Sequence, residues 1–392
     1  MDIDKQINQI LSDIYQKKTG NVLNEDLFKF THKSLDNAIN KGTLNLEVNA
    51  ENIAFIGKLK TSAGVFSAFK NHHQTQAIVD LLTDKDGKLV PFSKFKKEAL
   101  LISNKYNKNW LKTEYNTAVR RATTGANFQK FRATADVYPN LKWTSSRAET
   151  PREVHKKYYG LILPIEDSFW VENFPGDEWN CKCGLARTKA AAGKRPTSLT
   201  KSPKGLDGNP AFTGETFSGS HPMFKGLSKK ETSELKAEHE KLKTKIPYGD
   251  VNYTSKNGSS VNVHPYADVN DLEVNFYSAK LIVDQLEKTK IKIAPHVEIQ
   301  NVKNPEFIIN GKISDLKRQD GNQVYSNINS AIKQGCEVIV YKLGDVPKIQ
   351  TAQRLYERVN GSLMKREKHP IKKLIIIDKD EVVHTFKIKA KK

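Results

Sequence analysis

Between Ala190 and about Lys230 the chain contains AAAGKRPTSLTKSPKGLDGNPAFTGETFSGSHP, a stretch dense in Gly, Pro, Ser and Thr. Neither a helical stripe nor a strand alternation can be laid on it, so it predicts a linker or an extended arm. A break of that kind in a chain of 392 residues works against one continuous core and divides the protein. Residues 1–190 are expected as a first module and 191–260 as linker plus a short charged helix in KKETSELKAEHEKLKTK. Residues 261–392 are expected as a second module. The fold class expected is multidomain, mainly α first and α/β after the break.

The first module is expected to be helical. ALLISNKYNKNWLKTEYNTAVRRAT places Leu101, Tyr106, Trp110, Leu111, Tyr115 and Val119 close to a helical period. The second module alternates: DLEVNFYSAKLIVDQLEK as helix, IKIAPHVEI as strand, a hairpin at FIINGKISDLK, and SNINSAIKQG as helix stopped by Gly335. CEVIVYKL is a buried strand opened by Cys336, QTAQRLYERVNGSLMKR a helix, and KKLIIIDKDEVVHTFKIK a terminal hairpin. The order is α-β-β-β-α-β followed by α-β-β.

Charge and hydropathy limit the function classes. Lys and Arg outnumber Asp and Glu by 64 to 44, a net charge of +20. That excess favours a polyanionic partner through counterion release, without choosing one, and a merely lysine-rich surface would read the same. No apolar run approaches the roughly 18 residues of a membrane span, so no membrane role is expected. The N-terminus MDIDKQINQILSDIYQKK lacks the apolar region of a signal peptide, which predicts a cytosolic protein unless another device carries it out. An odd count of three cysteines argues against a disulfide framework.

The segment VHKKYYGLILPIEDSFWVENFPGDEWNCKC combines large aromatics with Pro164, Pro175 and Gly176. Such a segment cannot bury its rings in one helix and must wrap against its neighbours. His155, Asp167, Cys181 and Cys183 are of types that ligate zinc. Cys-x-Cys is tighter than the usual spacing and no second pair follows, so packing and local hydrogen bonds are the reading preferred from the residues alone.

This segment, with FSAFKNHHQTQAIVDLLTDKDGKLVPFSKF and WLKTEYNTAVRRA, resembles the phage Mu F-like minor head proteins, also called the phage head morphogenesis family. His155, Asp167, Phe169, Trp170, Pro175, Trp179, Asn180, Cys181 and Cys183 match that family's pattern in order, over roughly residues 25–225. Gly176-Asp177-Glu178 departs from it, and Lys182 stands where arginine is common. The resemblance implies a minor virion component acting with portal and capsid proteins during head assembly. It places the protein in the virion, and in the host cytoplasm before that. In this family C-termini often carry unrelated toxin or enzyme domains.

The second module can be read from hairpin geometry. Asn-Gly favours a two-residue turn with positive φ at both positions. With Asn310 and Gly311 as the turn, Ile309 opposes Lys312, Ile308 opposes Ile313, Phe307 opposes Ser314 and Glu306 opposes Asp315. Opposed residues share a face, as does Lys317 two places on. Two carboxylates facing each other repel unless a divalent cation lies between them. A metal there, Mg²⁺ or Zn²⁺, would supply an activated water, and Lys317 would stabilise charge on a phosphate. An exposed Asp-x-Lys at a strand end is the bland alternative.

This arrangement resembles the PD-(D/E)xK nucleases, whose core has the αβββαβ order, and NPEFIINGKISDLK resembles the nuclease toxins of contact-dependent inhibition proteins. The resemblance implies cleavage of tRNA or DNA and an immunity protein as partner. Glu273 is the choice for a further acid, and Ser326, Asn327 and Gln334 for substrate contacts. A metal-independent RNase of the barnase, colicin or RelE type is the alternative, with His296, His384, Lys317 and Arg354 as its acid-base groups. The other class is a purely structural virion protein whose tail only binds nucleic acid or capsid.

Overall fold

The computed structural model describes residues 3–17, 22–319, 323–344 and 349–389. The chain forms two compact units, one of Met1–Glu47 and Lys58–Leu242, the other of Val48–Gly57 and Lys243–Lys392. The boundary falls near residue 242, inside the stretch 191–260 expected as linker and charged helix, and residues 48–57 count with the second unit.

The first unit is led by helices: α1 (Ile3–Lys17), α2 (Glu25–Thr43), α3 (Ala50–Val79, its start in the second unit), α4 (Phe92–Asn104) and α5 (Leu111–Arg132). A π-helical turn, Lys105–Trp110, joins α4 to α5. Strand β1 (Asn140–Thr144), the short α6 (Glu153–Lys156), β2 (Ile162–Pro164), the short α7 (Phe169–Glu172) and β3 (Gly184–Thr188) follow. The strands form an antiparallel sheet in the order β2-β1-β3. Sequence periodicity did not indicate this sheet, because its strands are short and lie among aromatics and prolines. Trp143, Tyr158, Phe169, Trp170 and Phe128 bury their rings around it, so the breaker-rich segment wraps a sheet.

Residues 190–230 are an arm of the first unit, not a linker. The arm carries the short α8 (Pro210–Thr213) and leads to the charged α9 (Lys229–Lys243). Leu206 and Phe217 are buried, with the Phe217 ring 4.4 Å from that of Phe66. Arg121, fully buried on α5, donates to the carbonyls of Leu206 at 2.7 Å, Gly208 at 2.9 Å, Glu215 at 3.4 Å and Gly176 at 3.5 Å. A segment without apolar periodicity is thus held mainly by its backbone carbonyls, which composition cannot reveal. Gly205 is required: its φ is +94°, and a Cβ there would lie 2.3 Å from the His221 ring.

The second unit is an eight-stranded sheet with helices on both faces. It comprises β4 (Tyr253–Thr254), β5 (Ser260–Val263), α10 (Leu272–Gln285), β6 (Lys290–Ile293), β7 (Phe307–Ile309), β8 (Lys312–Gln319), α11 (Val324–Gln334), β9 (Val338–Leu343), α12 (Ala352–Met364), β10 (Lys373–Ile377) and β11 (Val383–Lys387). The strand order is β11-β10-β9-β8-β7-β6-β5-β4. From α10 onward the elements follow the order read from the sequence. The β4–β5 hairpin precedes them, and β6 stops at Ile293, before Pro295.

Strand alternation distributes the core. Val338 and Val340 pack toward α10 with Phe276 and Ile282, whereas Ile339, Tyr341 and Leu343 pack toward α11 and α12 with Ile328 and Leu355. Pairs β5–β6, β8–β9 and β9–β10 are parallel, bridged by α10, α11 and α12, while β6-β7-β8 is an antiparallel meander. Among the described residues no helix is long and apolar enough to cross a membrane.

Candidate functional site

The hairpin turn fixes the site in the second unit. Asn310 and Gly311 have φ of 48° and 79°, and the ladder runs Ile309 to Lys312, Ile308 to Ile313 and Phe307 to Ser314. Glu306 stands one residue before β7 in a bend, its carbonyl accepting from the Ala294 N–H at 2.9 Å. The ladder therefore ends before the Glu306–Asp315 pair, although the two carboxylates are close enough to interact.

Asp315 is buried at 1% exposure and forms an ion pair with Lys317 Nζ at 2.5 Å. Lys317 also donates to Ser330 Oγ on α11 at 3.2 Å. Burial, then the negative charge of Asp315, pushes the Glu306 carboxyl up to about 7, with Asp271 and Asp268 adding to the effect. The Asn275 amide donates to Glu306. Burial and the Asp315 charge also push up the Tyr341 hydroxyl and raise the Cys336 thiol to about 12. Tyr341 pairs with Lys317 across β8 and β9, and its hydroxyl is buried without a hydrogen-bond partner.

The structure distributes the sequence candidates unevenly. Asp315 and Lys317 form an ion pair, and Glu306 is near enough for the Asp315 charge to raise its carboxyl, although its side chain is held by Asn275 on α10. Glu273 is exposed in the first turn of α10, whereas Asn275 reaches Glu306 and Asp268 and Asp271 supply the nearby negative charge. Two residues apart on a helix, Glu273 and Asn275 lie on different faces. Ser326 is exposed and caps locally onto the Gln323 carbonyl at 2.9 Å. Asn327 approaches the Arg318 carbonyl at 3.4 Å, and Gln334 keeps a buried, unbonded Oε1. Ser330, not Ser326, touches the lysine, and Asn327, Ser330 and Gln334 share one helical face at i, i+3 and i+7.

Of the acid-base candidates, His296 lies 3.5 Å from Asp268. His384 pairs with Asp378 at 2.6 Å on β11, three strands from Lys317 on β8. Three strand spacings are roughly 14 Å, too far for a shared site. Arg354 is exposed near the start of α12, its backbone N–H bonded to Thr351 Oγ1 at 3.2 Å.

A second cluster lies in the first unit. His155 Nδ1 is 3.7 Å from Cys181 Sγ and 3.6 Å from Cys183 Sγ, and its Nε2 is 3.0 Å from Asp177 Oδ1. Asp167 is not part of it, since it pairs with Arg195 and accepts from the Phe169 N–H at 2.8 Å. Asp177, which sequence reasoning passed over as a family departure, is buried at 1% exposure.

Residues 32–186 match the family described as Phage Mu protein F like protein, and this stretch is a domain of that family. The matched stretch holds His155, Asp177, Cys181 and Cys183 and stops short of the second unit's sheet. Putative capsid assembly protein F of Escherichia phage Mu is 28% identical over 81 residues, which is 21% of this chain and 18% of that protein. The chain thus aligns with less than a fifth of that relative's length. Among solved structures, the CdiA-CT/CdiI toxin and immunity complex from Burkholderia pseudomallei is similar at 22% identity, over 30% of this chain and 85% of that chain. Its TM-score is 0.24, a superposition too loose to carry a conclusion about fold or function.

Glu306 sets a pH dependence. Its folded value of about 7 lies above its ordinary 4.5, so the folded state holds this proton more tightly than the unfolded one. The associated stability is fully present below about pH 4.5 and is lost as pH rises through 7. Glu306→Gln is expected to remove that loss, leaving the variant of order 2 kcal/mol more stable than the parent above pH 8 in chelator. Urea unfolding of both chains near pH 5 and pH 8.5 measures it, and an equal decline in both would refute this origin.

Proposed function

We propose that the chain is a virion-associated minor head protein whose second unit is a metal-dependent nuclease acting on tRNA or DNA. The Mu F-like domain is the part that engages portal and capsid proteins, in the virion and before that in the host cytoplasm. Packaging in the particle would deliver the nuclease to a recipient cell, and the producing cell would need an immunity protein against it. The observation that carries the reading is the buried Asp315, ion-paired with Lys317 and near a Glu306 whose carboxyl its charge helps push up. The αβββαβ order around these residues, that of a PD-(D/E)xK core, supports it, and so does the basic charge of the chain.

Burial and the charge of Asp315 both disfavour the Glu306 carboxylate, and a divalent ion held by the two acids would offset that cost. Bound there, the ion would supply a water of lowered pKa. Lys317, held by Asp315 and Ser330, is placed to neutralise charge gathering on a phosphate oxygen. Asn275 keeps the Glu306 carboxyl from rotating away.

The test is cleavage of total tRNA and of plasmid DNA by the full chain, with Mg²⁺, with Zn²⁺ and with EDTA. The full chain is needed because residues 48–57, with the buried Ile53, belong to the second unit's core. Metal-dependent cleavage is expected. Cleavage that survives EDTA favours acid-base chemistry, for which His296 beside Asp268 is the available histidine. No cleavage under any condition favours a structural tail.

A further inference from the structure

We infer that the Mu F-like domain binds a zinc ion through His155 Nδ1, Cys181 Sγ and Cys183 Sγ. Among the described residues these three are the group of His, Cys, Asp or Glu donors whose ligand atoms all lie within 4.8 Å of one another, and all three are buried. Two ligands at Zn–S of about 2.3 Å and Zn–N of about 2.0 Å, spread at the tetrahedral angle, stand about 3.6 Å apart. The two sulfur-to-nitrogen distances are 3.7 and 3.6 Å, so an ion fits without rearrangement of those donors.

The spacing that looked too tight for a metal is what the local backbone requires. Cys181 and Cys183 flank an exposed Lys182 in extended chain leading into β3, and residues i and i+2 of extended chain point to one side. The turn before them is fixed from outside. Asn180 sits at φ 54° with its N–H on Thr117 Oγ1 at 3.0 Å, and Arg120 Nε donates to the Cys181 carbonyl at 3.2 Å. The histidine is oriented as well. Asp177 Oδ1 lies 3.0 Å from Nε2, so a buried carboxylate stands behind the ring while Nδ1 faces the two sulfurs, the arrangement of partners usual for a metal-bound imidazole.

Ordinary packing explains this cluster less well. It would leave two thiols sharing one imidazole nitrogen as hydrogen-bond partner, with a buried carboxylate on the other side. Binding releases the two thiol protons to solvent, and the two thiolates then cancel the charge of the ion. A cavity of about 450 Å³, lined by His155, Cys181 and Cys183 together with Ser146, Arg152 and Lys182, adjoins the donors. A water entering from that cavity would complete the coordination.

The test is elemental analysis of the full chain purified under reducing conditions without chelator, in the parent and in the Glu306→Gln, Asp315→Asn background that disables the second unit's carboxylates. About one zinc per chain in both is expected. Cobalt exchanged for it should show tetrahedral visible bands and a thiolate-to-cobalt band. Cys181→Ser with Cys183→Ser should lose the metal and the thiolate band. Asp177→Asn should keep the band and weaken affinity about 10–100-fold. If the cysteine variant does not fold, cobalt titration of the parent and the Asp177→Asn affinity still decide. A metal-free parent whose thiols react equally with and without added zinc, and which gives no cobalt band, overturns the inference.

Discussion

Asp315→Asn in the full chain is expected to lower phosphodiester cleavage by at least about 10²-fold, and Lys317→Met by about 10²–10³-fold. The two losses should differ in kind. Asp315 is buried and would hold the metal, so its replacement should also shift the Mg²⁺ concentration needed for half-maximal rate. On the proposed function Lys317 would meet a charge that appears on the phosphate during reaction, so its replacement should fall on kcat with little change in that concentration. Their effects should combine less than additively, because the 2.5 Å Asp315–Lys317 bond joins them in one unit. Glu273→Gln, at an exposed position, is the matched control and should be silent. Rates for Asp315→Asn and Lys317→Met equal to the parent would refute the assignment.

The largest stability effect is expected at Arg121. Replacing it with Met removes the donor from four backbone carbonyls and strips the arm of its main polar anchor. Breaking a buried charged network of this kind costs about 3–5 kcal/mol, which lowers the melting temperature of the first unit by on the order of 10 °C. Lysine should restore little, since one ammonium cannot span carbonyls that a planar guanidinium reaches together. Calorimetry gives the shift, and limited proteolysis should open new cuts between residues 193 and 225. A melting temperature within about 2 °C of the parent, with no new cuts, would show that the arm is held by its aromatics alone.

These two sites differ in how far the amino-acid sequence discloses them. The β7–β8 register follows from Asn310-Gly311, because a two-residue turn with positive φ leaves one pairing, and strand alternation then places Asp315 and Lys317 on one face. Helix phase is less strictly determined. Glu273 and Asn275 are two residues apart on α10, and only packing of Leu272, Phe276 and Ala279 into the core decides which one turns toward Glu306. Ser330 escaped notice for the same reason on α11. In the first unit, Asp167 and Asp177 are equally plausible by type. The choice of Asp177 depends on a turn through Pro175 and Gly176 that brings the carboxylate back under His155, a tertiary event without a periodic signal. Arg121 is hidden for a plainer reason: its partners are carbonyls, which every residue has.

The second unit's inclusion of residues 48–57 has a consequence during synthesis. Ile53 is synthesised well before β4 to β11, and at roughly 5–20 residues per second the end of β11 follows it by roughly 17–67 s. For that time an apolar segment has no sheet to join, and the nuclease-like unit cannot complete its core until the last strands emerge. Synthesis therefore has a built-in delay between the first and the last segment of this unit's core, and its fold is completed only at the end.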